Sequence, residues 1–161
     1  MRKLLLNVVI LLSVMQMKQS AGNPFFGKFK TPFEAPPFNQ IKTEHYEPAF
    51  DEGIRRMEKE IKAIAENPQP ATFANTIVAL ERAGKLLNTV SSVFFNVLSA
   101  EANDEMMEIS QRVSPKLSEC SNNIYLNEAL FARVQTVYDQ RQQLGLSTED
   151  AKLLEETYEA F

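Results

Sequence analysis

The side chains able to do chemistry in this 161-residue chain are few. His45 is the one imidazole, Cys120 the one thiol, and tryptophan is absent. A Ser-His-Asp or Cys-His arrangement would have to run through His45. A two-histidine zinc motif such as H-E-x-x-H is out of reach, as is any disulfide or multi-cysteine zinc site within one copy. The five scattered glycines form neither G-x-G-x-x-G nor G-x-x-x-x-G-K-[ST], so the common phosphate cradles are missing too.

The remaining candidates each have an ordinary structural explanation. A histidine in the first turn of a helix, where His45 falls, hydrogen-bonds or packs; catalytic zinc typically takes three protein ligands. Glu101, Asp104, Glu105 and Glu108 make a negative patch without the spacing or the glycine of a calcium loop. We expect a solvated helix start there, and a solvent face for Glu155, Glu156 and Glu159. Paired carboxylates need a pocket to separate their pKa values, and helix-surface spacing supplies none. Tyr46 and Tyr125 could shape a pocket, but nothing in the sequence places a partner beside them. Cys120 is expected as a small buried apolar residue. The residues themselves therefore nominate no catalytic, no cofactor-binding and no metal-binding side chain.

The elements that would position a site begin with an address. Met1-Arg2-Lys3 precedes an apolar run from Leu4 to Val14, and Ser20-Ala21-Gly22 offers small residues for cleavage. Eleven residues are too few to span a bilayer, which takes roughly 20; the pattern is that of a secretory signal over residues 1–22, hence a periplasmic or secreted product with no stable membrane span once it is removed. Arg2, Lys3 and Lys18 leave with it, so 17 basic residues fall to 14 against 21 acidic ones and the net charge moves from −4 to −7. Such a surface is a poor partner for nucleic acid or anionic lipid, and no helix carries a basic stripe.

Residues 23–42 read as an extended arm. The stretch 23–50 holds six of the eleven phenylalanines and five of the eight prolines. Proline removes a donor and restricts its predecessor, which excludes regular helix here. The aromatics exclude a floating linker. An arm that plants Phe25, Phe29, Phe33 and Phe38 on another surface satisfies both constraints. No P-x-x-P occurs, so a proline-rich recognition peptide is disfavoured.

From Thr43 the period becomes helical, and the spacing predicts an all-α chain of about five antiparallel helices. The first enters at Thr43 as cap, carries Phe50, Ile54, Met57, Ile61 and Ile64, and stops at Asn67-Pro68-Gln69-Pro70. The second opens near Thr72 to Asn75 and runs to about Ser99 with Ile77, Leu80, Leu87, Val90, Phe94 and Val97 inward. The third starts at Asn103-Asp104-Glu105, buries Met106, Ile109, Val113 and Leu117, and should kink at Pro115. Asn127 caps the fourth, which Gly145 ends as a left-handed residue. Ser147 to Asp150 caps the fifth, which reaches Phe161 with no stop signal; the spacing reads as a helix cut within its pattern.

Several stretches in order then carry a resemblance. They are Asn23-Pro24-Phe25-Phe26, Phe33-Glu34-Ala35-Pro36-Pro37-Phe38, the run from Ile41 to Phe50, the run from Thr72 to Glu81, Ile124-Tyr125-Leu126-Asn127, and Leu153 to Tyr158. Together they resemble the N-terminal region of the thimet-oligopeptidase family of zinc metallopeptidases, in its bacterial peptidyl-dipeptidase (dipeptidyl carboxypeptidase) branch near oligopeptidase A.

The resemblance implies one part of a two-lobed helical enzyme around a deep channel. It implies zinc held by H-E-x-x-H and a downstream glutamate in the C-terminal part of a chain several times longer, with dipeptides released from short peptides. None of those zinc-site residues is present, so none is carried over. The expectation is a signal peptide (1–22), an arm (23–42) and an N-terminal helical region (43–161) of an exported zinc peptidyl-dipeptidase, inactive without its catalytic region. The gene would be split or frameshifted, or the sequence a fragment. The alternative is a stand-alone periplasmic helical binding module.

Overall fold

The computed structural model describes residues 22–161, so the expected signal peptide, apart from Gly22, lies outside the described residues. Among these residues there is no strand. The arm carries two 3-10 turns, Pro24–Phe26 and Pro32–Glu34. A third, Thr43–His45, leads into helix α1 (Tyr46–Ala65). A π-helical stretch, Phe73–Val78, passes into α2 (Ala79–Arg82), and α3 (Lys85–Ala100), α4 (Asp104–Tyr125), α5 (Glu128–Asp139) and α6 (Thr148–Glu159) follow. The described residues are all-α, with five helical rods after an irregular arm and the second rod broken. No helix among the described residues is long and apolar enough to cross a membrane.

Local chemistry sets most of the helix starts. The Asn103, Asn127 and Ser147 side chains accept the amides of Met106, Leu130 and Asp150 at 2.9, 2.9 and 3.1 Å. Each satisfies a donor that the first turn leaves free. Thr72 and Asn75 cap reciprocally, each side chain accepting the other's amide, at 3.1 and 2.9 Å. Pro48 sits in the first turn of α1, where a missing N–H costs nothing.

Three local expectations are corrected. Thr43 is not the cap of the first helix but the first residue of a 3-10 turn; the His45 ring reaches back instead, its Nδ1 accepting the Lys42 amide at 3.0 Å. The second helix is not continuous: Ala83 is extended and Gly84 left-handed (φ 71°). The fourth helix ends at Asp139, and successive turns lead to Gly145 (φ 59°), which closes the connection rather than the helix. Helix α4 runs on through Pro115.

The break at Gly84 follows from how tightly α1 and α3 approach. A Cβ on Gly53 would lie 3.0 Å from the Leu87 Cα, and one on Gly84 would lie 2.5 Å from the Met57 sulfur. Glycine at both places lets the backbones close, and at Gly84 it also accepts the positive φ that turns the chain. The contacts Gly53–Leu87 and Gly84–Met57 make α1 and α3 antiparallel. Phe94 of α3 packs edge-on against Phe50 and Tyr46 of α1, with centroids 5.4 and 5.0 Å apart.

Helix α1 is the hub, packing on α3, α4 and α5. Pairs Glu47–Arg112 (3.1 Å) and Asp51–Lys116 (2.6 Å) keep one sequence offset, so α1 and α4 run parallel. These pairs are half-exposed, and such pairs contribute about 0–1 kcal/mol. Burying a Phe or Ile side chain contributes about 1.5–3 kcal/mol. Phe50, Phe94, Ile109 and Val113, all buried, therefore hold the register that the ion pairs decorate. A second, smaller core gathers Ile77, Val134, Val137 and Leu154 between the π-helical stretch, α5 and α6. The Tyr138 and Tyr158 rings stack at 3.9 Å across α5 and α6, and Phe161 touches both cores.

Candidate functional site

The side chains singled out for their chemistry do not converge. The Nδ1 of His45 is engaged by the Lys42 amide, and its carbonyl accepts the Asn23 side-chain amide at 2.8 Å. Asp104 and Glu105 stand exposed in the first turn of α4, and Glu108 pairs with Arg112 at 3.7 Å. Glu155 and Glu156 flank Lys152 at 3.2 and 3.8 Å on the outer face of α6. Cys120 is buried; desolvation first, and the Glu58 charge second, push its thiol above its ordinary value. Among the described residues no three His, Cys, Asp or Glu side chains are placed to share a metal ion.

Tyr46 and Tyr125 shape no common pocket. Tyr46 is buried between Phe25 and Phe94, where burial raises its phenol above the usual value. Tyr125 is half-exposed at the end of α4, edge-on to Phe161 at 5.4 Å. The α1–α4 register puts Tyr46 level with residue 111, so helix geometry separates the two by about 20 Å.

Two open grooves stand out among the described residues. One, of about 860 Å³, is lined by Glu47, Asp51, Glu52, Arg55, Arg56 and Arg112. Most of its charges are paired: Glu52 binds Arg55 and Arg56, Glu47 binds Arg112, and Asp51 binds Lys116. Hydrogen bonds from Arg55, then those from Arg56, hold the Glu52 carboxyl at about 2 against the opposing effect of burial. That is the signature of a paired surface group rather than of a poised acid or base.

The other groove, of about 1200 Å³, runs between the arm and the α2–α3 junction, with Phe25, Phe26, Phe29, Glu60, Lys85 and Val93 along it. The arm that walls it is anchored at its start. Asn23 is buried, accepts the Phe25 amide at 3.1 Å and donates to the His45 carbonyl. Phe25 is buried against Tyr46, and Phe29 packs edge-on to Phe25 at 6.2 Å. Farther out the arm departs from expectation. Phe33 is 103% exposed and Phe38 59% exposed, so neither is planted on this helical body. Just after Pro32 the backbone is left-handed at Phe33 and Glu34 (φ 58° and 56°), and farther along Pro37 is buried again.

One residue that sequence reasoning missed organises the linker before the π-helical stretch. Arg133 of α5 donates to the carbonyls of Asn67 and Gln69 at 2.9 and 3.0 Å, and to Asn75 Oδ1 at 3.1 Å. Its signal in the sequence is no more than the one basic residue of an amphipathic helix.

No family model matches the chain. Individual relatives do. It is 48% identical over 139 residues to dipeptidyl carboxypeptidase of Escherichia coli, and 45% identical over the same length to that of Salmonella typhimurium. Each match covers 86% of this chain and 20% of the relative. Oligopeptidase A of Escherichia coli is 25% identical over 131 residues, covering 81% of this chain and 19% of the relative. The chain thus spans about a fifth of the length of these proteins. A match of 139 residues leaves only 22 outside it, so it includes residues 23–139 wherever it begins, the arm among them. Over this stretch the chain is similar to a fifth of dipeptidyl carboxypeptidase and, at lower identity, to oligopeptidase A.

Proposed function

We propose that this chain is a structural, non-catalytic part of an exported zinc peptidyl-dipeptidase that cleaves short peptides, and that it has no peptidase activity by itself. One observation carries the reading: 48% identity over 86% of this chain falls on 20% of a dipeptidyl carboxypeptidase. The zinc that the family resemblance implies does not fit the residues here. The single imidazole, on His45, has one nitrogen engaged by the backbone, and no acid cluster stands beside it. A zinc site needs several such donors. The metal and the activated water belong, on this reading, to residues outside this chain. What this chain supplies is a helical wall and an anchored arm. Export rests on the apolar run Leu4 to Val14 behind Arg2-Lys3.

The test is direct. The purified chain, with and without added zinc, is assayed for release of dipeptides from a short peptide blocked at its N-terminus. No release above the blank is expected; zinc-dependent release by this chain alone overturns the reading. Translation of the DNA just downstream, in all three frames, should reveal an H-E-x-x-H helix. An unrelated gene in its place would leave a stand-alone binding module as the better account.

A further inference from the structure

The arm has two faces, and one of them is used. Asn23, Phe25 and Pro37 are buried against the helical body, so the path of the arm is set rather than floating. The other face carries Phe33 and Phe38 into solvent on a segment stiffened by Pro32, Pro36 and Pro37. Phe33 is held there at a cost. It and Glu34 both have positive φ, a conformation that side chains with a Cβ avoid, and a bulky aromatic there is a genuine outlier.

The turn is held by two backbone hydrogen bonds, from the Glu34 amide to the Thr31 carbonyl and from the Ala35 amide to the Pro32 carbonyl. The Lys28–Glu34 ion pair at 2.6 Å and the Thr31 hydroxyl donating to the Ala35 carbonyl accompany them. Both partners of the ion pair are more than half exposed, and pairs of that kind stabilise little. Among the described residues no contact rewards presenting the ring to solvent. Burial of the ring elsewhere would.

We infer that Phe33 and Phe38 form a docking plug that inserts into apolar pockets on the remaining four-fifths of the longer peptidase. This rests on the function proposed above. The matched stretch includes the arm, and the relatives supply about four times as much chain again as the part matched, so the missing surface has an obvious owner. A second copy of this chain is the weaker occupant. A standing dimer buries about 800 Å² per partner, more than two rings provide. Within one longer polypeptide the two sides are tethered, and a small plug suffices at the high effective concentration that tethering gives.

The experiment is a chimera in which residues 22–161 replace the matched fifth of the Escherichia coli dipeptidyl carboxypeptidase. It is compared with the isolated chain by hydrogen exchange over residues 31–40 and by thermal melting. In the chimera the segment should be at least tenfold better protected than in the isolated chain. Phe33→Ala with Phe38→Ala should abolish that protection and leave the melting of the isolated chain unchanged. Phe33→Gly supplies a readout of opposite sign: it relieves the left-handed backbone and raises the melting temperature of the isolated chain, yet lowers that of the chimera. A chimera that folds and cleaves peptide with the segment still exposed overturns the plug and leaves the proposed function standing. A chimera that does not fold where the parent does overturns that function and the plug with it. Protection that rises with concentration in the isolated chain makes a second copy the occupant and overturns the assignment.

Discussion

The side-chain amide of Asn23 donates to the carbonyl of His45 at 2.8 Å, joining the start of the arm to the entrance of α1 across 22 residues. The same side chain accepts the Phe25 amide, so one buried asparagine shapes the first turn of the arm and fastens it.

Asn23→Ala should leave the His45 carbonyl and the Phe25 amide without those partners, at a cost of about 1–2 kcal/mol. Amide exchange at Phe25 and Phe26 should quicken, with α5 and α6 unaffected. Equal exchange in variant and parent would show that Phe25 packing alone holds the arm.

The Glu60 carboxylate accepts the Gly84 amide at 2.7 Å at the break between α2 and α3. Gly84→Ala places a Cβ in a left-handed conformation, costing about 1–2 kcal/mol. The Met57 sulfur adds a clash on top of this. Met57→Ala in that background should recover the steric part and leave the backbone part. Urea unfolding of the parent and these two variants measures this, and an unchanged midpoint for Gly84→Ala would refute it. Glu60→Gln keeps an acceptor and should cost less, about 1 kcal/mol.

Arg133→Met removes the donors to Asn67, Gln69 and Asn75 and should cost about 2 kcal/mol. Limited proteolysis between residues 66 and 72 should accelerate. Arg133→Lys should recover little, because one ammonium cannot reproduce the guanidinium fork. Full rescue by lysine would mean that charge, not geometry, matters there.

Glu52 is held at about 2 by Arg55 and Arg56, below its ordinary value of 4.5. A depressed folded pKa contributes stability above the unfolded value, and that contribution fades as pH falls from about 4.5 towards about 2. Glu52→Gln should therefore be slightly less stable than the parent at pH 7, by about 0.5 kcal/mol, because its arginine partners are largely exposed. The two should converge near pH 2. A gap that persists at pH 2 would assign the effect to packing.

Much of the molecule was legible from local chemistry. The caps at Asn103, Asn127 and Ser147, the inward residues Phe50, Phe94, Val113 and Val134, and burial of Cys120 all follow from spacing and side-chain type, because each depends on neighbours within a turn or two. Periodicity reports which face is apolar. The family resemblance, carried by short stretches in a fixed order, was also present in the residues themselves and agrees with the relatives.

What only the tertiary structure decided depends on partners far along the chain. The break at Gly84 exists because α1 and α3 approach closely and Glu60, 24 residues earlier, takes the freed amide. Arg133 is an unremarkable helix residue until the fold brings the carbonyl of Asn67 within 2.9 Å. The arm divides most sharply. Its proline and phenylalanine content excludes helix and linker alike, but Phe25 finds Tyr46 while Phe33 finds nothing among the described residues. Sequence determines that an aromatic arm must be buried somewhere, since apolar area is costly in water. Which rings this body covers, and which it leaves for another surface, is set by the three-dimensional path of the backbone. At Phe33 and Glu34 that path is left-handed, and the Phe33 ring is left in solvent.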